Sequence, residues 1–379
     1  MATLGDYIKI KHGFAFKGDY ITTDDNGIVL VTPGNFEIGG GFKEKKCKFF
    51  SSNYPAEYVL RPGDLIVTMT DLSKQGDTLG FSALVPKSSR TYLHNQRIGL
   101  VDVFNEAADK EYIYWFMRTP RYQKTIVATA SGSTVKHTSP SRICEVEIEL
   151  PPLNEQKAIA ATLSAIEQKI LNNEQINDNL QEQVSALFDS WFVSFDQTDG
   201  KMPDDWREGT LGEITTITSG KRPPMKQPAA TSEVSIPLLG AASIMGFTNA
   251  VLYNEPILVT GRVGTHGVVQ RFQSPCWTSD NTLVIKSEFY EYAFQALQRV
   301  DYVNMNIGST QPLITQTDLK NVSIVIPTEA ILLEYEKIAR TLMAMYESNR
   351  KENERLAVLR DTLLPRLMNG EIDVSNIEI

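Results

Sequence analysis

Gly132-Ser133-Thr134, followed eighteen residues on by Leu150-Pro151-Pro152, returns as Gly308-Ser309-Thr310, followed at the same interval by Ile326-Pro327-Thr328. One displacement carries both landmarks (308 − 132 = 327 − 151 = 176). Each pair leads into a long stretch of helical periodicity. The halves also open alike, with Leu4-Gly5-Asp6 ahead of Gly13 and Leu211-Gly212-Glu213 ahead of Gly220. The chain is therefore laid out as globule, long helix, globule, long helix. Two heads with a spacer suit a target that is itself split.

The helical stretches carry heptad seams. Ile159, Leu163, Ile166, Ile170, Asn173, Asn177, Leu180, Val184, Leu187 and Trp191 follow one another in steps of four and three. A second seam runs Tyr335, Ile338, Leu342, Met345, Asn349, Glu352, Leu356, Leu359 and Leu363. Both are apolar at the ends and polar in the middle, so an antiparallel pair would set polar centre against polar centre. Burying unmatched amides is costly, which disfavours slipped registers. The alternative is two amphipathic helices, each packed on its own globule. About 40 helical residues rise roughly 60 Å, and the second helix would bring the C-terminus back to the first head. Pro151-Pro152 and Pro327 stand where proline is tolerated, at helix starts.

The division expected is a first head over 1–150, a spacer helix over 151–195, a linker over 196–206, a second head over 207–326, a second spacer helix over 327–370 and a tail over 371–379. Inside the heads the pattern is of short strands: Gly27 to Thr32, Leu65 to Met69, Ile98 to Phe104 and Cys144 to Leu150 in the first. The second offers Ile236 to Leu239, Ile257 to Thr260, Val268 to Phe272, Leu283 to Ile285 and Val322 to Ile326. One short helix is expected in each, near Tyr112 to Arg118 and Tyr292 to Arg299. Between shared landmarks the heads differ in length (132 − 4 = 128 against 308 − 211 = 97), so the scaffold repeats while the loops do not.

With 379 residues there is room for two or three cores. No apolar run approaches the roughly 18 residues of a membrane span, and the first residues do not read as a signal peptide. Cys47, Cys144 and Cys276 are widely spaced, as free thiols of a reducing cytoplasm would be. The net charge is −9, distributed as +1 over 1–150, −6 over 151–200, −1 over 201–326 and −3 over 327–379. The acid lies on the helices. Near-neutral heads can bind nucleic acid if their cations cluster, because the relevant field is local.

No phosphate-cradling loop ends in Gly-Lys-Ser/Thr, and no Asn/Asp-Pro-Pro-aromatic segment of an amino-methyltransferase is present. Gly261, Gly264 and Gly267 mimic a nucleotide loop weakly, without a βαβ unit around them. His12, His94, His137 and His266 lack ligand spacing, and Asp24-Asp25 and Asp204-Asp205 read as solvated turns. Neither a catalytic residue nor a metal site is expected.

The chain resembles the specificity subunits of type I restriction–modification systems over essentially its whole length. The resemblance is carried by the two Leu-Gly-acid openings, by Ile257-Leu258-Val259-Thr260-Gly261-Arg262-Val263-Gly264-Thr265 and by the Gly-Ser-Thr segments with their Pro-bounded helices. It is carried too by Leu187-Phe188-Asp189-Ser190-Trp191-Phe192 and Leu363-Leu364-Pro365-Arg366-Leu367-Met368-Asn369-Gly370-Glu371-Ile372, which close the helices. The resemblance implies an α+β fold: two β-rich target-recognition domains joined by two long antiparallel, coiled-coil-like helices in a pseudo-two-fold repeat. It implies a non-catalytic cytoplasmic subunit whose heads each read half of a bipartite double-stranded DNA target. Two methyltransferase subunits, using S-adenosylmethionine, would dock on it, and restriction subunits using ATP and Mg can join. No cofactor would be bound by this chain, and no membrane is involved.

Candidate DNA contacts lie in loops. Gly39-Gly40-Gly41 leads as a flexible basic loop to Lys43, Lys45 and Lys46, which suit phosphates. Thr70, Ser73, Lys74 and Gln75 follow a strand. Asn95, Gln96 and Arg97 offer amide and guanidinium groups for base edges. Ser133, Thr134, Lys136 and His137 form a polar loop. The second head has Lys221, Arg222 and Lys226, then Arg262, Thr265 and His266, then Asn281, and finally Ser309, Thr310 and Gln311. Taken singly, each reads more simply as a structural or phosphate contact than as a base reader. Matched loop sets on a duplicated scaffold favour a reading surface. The competing class is a two-headed adaptor that binds proteins.

Overall fold

The computed structural model describes residues 2–73, 75–263, 267–305 and 313–374, in two compact units: Met1–Asn172 with Glu352–Ile379, and Asn173–Lys351. In the first, strands β1 (Ile8–His12), β2 (Leu65–Thr68), β3 (Ser82–Leu84) and β4 (Ile98–Val103) form an antiparallel sheet in the order β1-β4-β2-β3. In the second, β5 (Thr216–Ser219), β6 (Ile257–Gly261), β7 (Gln270–Phe272) and β8 (Thr282–Lys286) repeat that order as β5-β8-β6-β7.

Strands β2, β6 and β8 read as nearly unbroken apolar runs because both their faces are buried. Leu65, Val67 and Val101 face helices, while Ile66 and Ile98 enter a second core beneath another sheet. Leu258, Leu283 and Ile285 do the first in the other unit, and Ile257, Val259 and Val284 the second. The covering sheets share a parallel pair, Ile28–Val31 with Thr91–His94 and Ile236–Leu239 with Trp277–Thr278. The first has five strands and the second three, which accounts for much of the difference in length between the heads.

The Leu-Gly-acid openings have one structural meaning. Leu4 and Leu211 are fully buried one-turn plugs, each closed by a capping box, Thr3 with Asp6 and Thr210 with Glu213. The Leu4 N–H donates to Val146 O at 2.8 Å, and the Leu211 N–H to Val322 O at 2.9 Å. A Cβ on Gly5 would lie 3.1 Å from Cys144 Cβ, and one on Gly212 would lie 3.0 Å from Lys320 Cβ. Cys144 and Lys320 end the helices Pro140–Cys144 and Gln316–Lys320, which stand 176 residues apart (316 − 140).

Helices α1 (Leu153–Phe192) and α2 (Glu329–Met368) are each 40 residues long. Each unit contains the beginning of one and the end of the other, so the C-terminal segment packs with the first head. In the first unit Lys169 pairs with Glu352 at 3.4 Å, Glu167 with Arg360 at 3.6 Å, and Asn353 Nδ2 donates to Ile170 O at 3.1 Å. In the second unit Asn349 Nδ2 donates to Asn177 Oδ1 at 3.0 Å, and Tyr335 Oη to Val184 O at 3.4 Å. Numbers rise along one helix as they fall along the other, so the halves pair antiparallel and their polar positions meet. The helix ends plug the heads: Leu364 and Leu367 enter the first core, and Phe188 and Phe192 stack on Tyr292 in the second.

Three expectations are corrected. The seam of α2 is displaced, for Ile338, Met345 and Leu359 are exposed while Ala339, Met343, Tyr346 and Asn353 turn inward. Adjacent apolar residues at Ile338-Ala339 and Met345-Tyr346 let heptads of either phase fit the sequence. The heads also hold more than one short helix: Pro120–Ala128 and Pro140–Cys144 join Lys110–Phe116, and Leu211–Ile214 and Gln316–Lys320 join Tyr290–Gln298. Their signal was the cap-and-proline pairs Thr119-Pro120 and Ser139-Pro140, whose hydroxyls accept the Tyr122 and Arg142 N–H groups. Lastly, 145–150 forms no strand beyond one bridge between Glu147 and Thr3. The corresponding segment of the second unit, Ser323–Ile326, does form a strand, paired antiparallel with Arg207–Thr210.

Candidate nucleic-acid interface

At one end of each four-stranded sheet, segments distant in sequence are bonded together. A Cβ on Gly13 would lie 2.2 Å from Asn95 O, and one on Gly220 would lie 2.1 Å from Ser279 O. Only a residue without a side chain lets the chain cross there. The Phe14 N–H donates to His94 O at 2.9 Å and the Gln96 N–H to Phe14 O at 2.9 Å. In the second unit the Lys221 N–H donates to Thr278 O at 2.9 Å.

The next layer repeats as closely. The Ile98 N–H closes a turn on Asn95 O at 3.0 Å, and the Met69 N–H donates to Arg97 O at 2.9 Å. Thr282 closes the matching turn on Ser279 O at 3.1 Å, and the Arg262 N–H donates to Asn281 O at 2.8 Å. The Thr138 N–H then binds Met69 O, and the Ile314 N–H binds Arg262 O, both at 3.0 Å. Lys136–His137 pairs with Thr70–Asp71, as Leu313 bridges Val263. Thus Thr70, Asn95 to Arg97 and Lys136-His137 are brought together in one unit, and Lys221, Arg262 and Asn281 in the other.

The exposed members are Gln96, Arg97, Ser133, Thr134, His137 and Gln75, then Lys221, Arg222, Lys226 and Asn281. Ser133 and Thr134 form the tip of a small hairpin in which Ser131 and His137 exchange backbone bonds at 2.9 Å. Lys136, Ser73 and Arg262 are half-buried. Two expected contacts are buried instead: Thr70 is 4% exposed and its hydroxyl bonds His137 Nδ1 at 3.1 Å, and Asn95 is 8% exposed. Asn95 Oδ1 accepts the Arg97 N–H at 3.0 Å, so it shapes the turn that presents its neighbours. Lys74, Thr265, His266, Ser309, Thr310 and Gln311 lie outside the described residues.

The glycine-lysine segment is not the flexible loop expected. Gly39, Gly40 and Gly41 hold φ of 90°, 86° and 99° and fold onto Arg118, whose Cγ would be 2.5 Å from a Cβ on Gly40. Arg118 donates from Nε to Gly39 O at 2.8 Å and from Nη1 to Glu167 on α1 at 2.6 Å. Lys43 is half-buried and pairs with Glu37 at 3.4 Å, while Lys45 and Lys46 remain exposed.

Asp71, not singled out in the sequence, organises the loop that holds Ser73 and Gln75. It accepts the Ser73 N–H at 2.6 Å and both the N–H and hydroxyl of Thr78, at 2.5 and 2.7 Å. Burial pushes its pKa up, but these donors outweigh burial and hold the carboxyl below its ordinary 3.8. The stability it contributes is therefore present above pH 3.8 and lost as pH falls through the lower folded value. Asp71→Asn should open this loop by about 1–2 kcal/mol, read as faster hydrogen exchange at the Thr78 amide with the sheet amides unchanged. Unaltered exchange would mean that the loop is held elsewhere. Among the described residues, no three His, Cys, Asp or Glu side chains stand together as metal ligands.

A family model described as the type I restriction modification DNA specificity domain matches residues 1–182 and 203–360. The chain belongs to this family. DNA sequence specificity within a restriction–modification complex is the function that membership carries. The type I restriction enzyme MjaIX specificity subunit of Methanocaldococcus jannaschii is 25% identical over 303 residues, 70% of each chain. The EcoBI specificity subunit of Escherichia coli is 29% identical over 224 residues, spanning 54% of this chain and 44% of that one. The crystal structure of a type I restriction–modification S subunit from M. genitalium shares the fold, with a TM-score of 0.62, 19% identity and coverage of 96% of this chain and 94% of that one. The two sheet ends are thus equivalent surfaces on a duplicated DNA-specificity scaffold.

Proposed function

We propose that each head reads one half of a bipartite double-stranded DNA target through the loops at its sheet end, and that α1 and α2 set the spacing between the halves. The observation that carries this is the duplication of one bonded loop framework, with different exposed side chains on each copy. Gln96 and Arg97 occupy the turn that Asp280 and Asn281 occupy in the other unit. Equal scaffolds with unequal side chains are what two different half-sites require. Lys45, Lys46, Lys221 and Arg222 serve phosphates and position the heads.

The chain supplies no catalysis in this reading. Two methyltransferase subunits, carrying S-adenosylmethionine, dock on the helices, and ATP- and Mg-dependent restriction subunits can join them. The complex works in the cytoplasm. Among the described residues no helix is long and apolar enough to cross a membrane.

The test is DNA binding by the complex with its methyltransferase subunits across a salt series. Affinity should fall steeply, with log K against log salt losing about 0.9 in slope per phosphate contact. Lys221→Ala with Arg222→Ala should make that slope shallower by about 2 and weaken all sequences alike. A salt-insensitive affinity would favour the protein-binding adaptor. Methylation mapping should then return a split motif with a fixed gap.

A further inference from the structure

Two turns occupy the same place in the two heads. Asn95-Gln96-Arg97 joins Thr91–His94 to β4, and Ser279-Asp280-Asn281 joins Trp277–Thr278 to β8. Their closing bonds match, Ile98 N–H to Asn95 O and Thr282 N–H to Ser279 O. So do their anchors, Met69 on Arg97 O and Arg262 on Asn281 O. In both, the first residue is buried and the next two are exposed, so Gln96 corresponds to Asp280 and Arg97 to Asn281.

Asp280 is chemically out of place on such a surface. The turn is bonded to the Arg262 backbone and follows Thr278, whose carbonyl accepts the Lys221 N–H, yet among the described residues no ion pair engages Asp280. An exposed carboxylate with no partner is repelled by phosphates and gains nothing from the backbone of DNA. It can gain from a base edge. A carboxylate is acceptor only. In the major groove guanine presents two acceptors, thymine an acceptor and a methyl group, and adenine an acceptor beside its amino donor. Cytosine presents its N4 amino group as a donor, and is the edge that a carboxylate fits.

We propose that Asp280 is a specificity-determining residue of the second head, accepting from the amino group of a cytosine in that half-site. Asn281 beside it suits an adenine, and Gln96 with Arg97 give the first head an adenine- and guanine-directed pair at the same position. This rests on the DNA-reading role proposed above. It adds an acidic residue to the interface, and with it the reason that the two half-sites differ.

The experiment selects bound sequences from a randomised DNA library with the complex of this chain and its methyltransferase subunits, comparing the parent with Asp280→Asn, Asp280→Ala and Arg97→Gln. The parent should return a split motif with a required cytosine in one half. Asp280→Asn offers a donor and an acceptor together, so discrimination at that position should fall roughly ten- to hundredfold in favour of adenine. The other half should stay as it was, and Arg97→Gln should alter that other half alone. The proposal is overturned if both Asp280 variants keep the parental motif, or if Asp280→Asn and Arg97→Gln disturb the same half. It is overturned as well if an Asp280 variant that melts like the parent loses all DNA binding, because one base contact does not carry the phosphate affinity. A parent complex that selects no split motif would instead bring down the DNA-reading role itself.

Discussion

Replacing Arg271 by methionine is expected to destabilise the second unit by about 3–5 kcal/mol, because it leaves a buried carboxylate without its partner. Arg271 grips Glu291 with both terminal nitrogens, at 2.5 and 2.6 Å, and its guanidinium lies 4.8 Å from the Phe294 ring centre and 5.2 Å from that of Tyr290. The Arg271 side chain is 9% exposed and that of Glu291 2%, so water cannot replace the lost bonds. A second buried acid stands close by. Glu336 accepts the Tyr292 N–H at 2.8 Å and pairs with Arg340 at 3.0 Å. Burial raises its pKa above the ordinary 4.5, the nearby Glu291 raises it further, and Arg340 and the Tyr292 amide oppose the rise.

The sign of the pH dependence follows. A carboxyl whose folded pKa is raised favours the folded state by taking up a proton. For Glu336 that gain is complete below about pH 4.5 and is lost as pH rises through the raised folded value. Arg271→Met should lower the melting temperature by roughly 10 °C near pH 7. Arg271→Met combined with Glu291→Met should recover most of the loss, since an apolar pair of similar size is often as stable as the ion pair. Equal melting of the single variant and the parent at pH 7 would show that the pair contributes nothing.

Much of this architecture was legible because it rests on period and repetition. The shared displacement of 176 residues gave two scaffolds, and those scaffolds share the strand order of their main sheets. Strands buried on both faces announced themselves as unbroken apolar runs. What escaped is what long-range neighbours decide. Thr70 looked like a surface hydroxyl until His137, 67 residues later, covered it. Gly39 to Gly41 looked flexible until Arg118, 79 residues on from Gly39, bonded Gly39 O and filled the space that a side chain on Gly40 would have used. The α2 seam failed for a different reason: neighbouring apolar residues satisfied two heptad phases equally, and only the partner helix chose between them. For the candidate contacts, composition pointed to polar turns but not to which side chains in them face outward. Asn95, Gln96 and Arg97 are consecutive polar residues, and one of them is spent on shaping the turn.

Lengthening both long helices by one heptad, beside Asn173 in α1 and beside Asn349 in α2, should widen the gap between half-sites without changing either half. Seven residues keep the apolar seam in phase, whereas a single turn of four would rotate it out of register. The added rise is about 10.5 Å, or roughly three base pairs at 3.4 Å each. Three base pairs also turn the groove by about 100° at roughly 10.5 base pairs per turn, whereas a heptad rotates the helix by only about 20° relative to its seam. One head would then meet the wrong face of the duplex, so the widened site should bind more weakly than the parent site. Three heptads remove that conflict. Their rise of about 31.5 Å approaches nine or ten base pairs, nearly one full turn of DNA, and affinity should return with the longer gap. Methylation mapping reads the gap and a binding titration reads the affinity. A gap that stays at the parental length in both insertions would mean that the heads find their half-sites independently of the helices, and the spacing role would have to be given up. A gap that widens, with affinity falling at one heptad and recovering at three, requires that the paired helices transmit both distance and rotation.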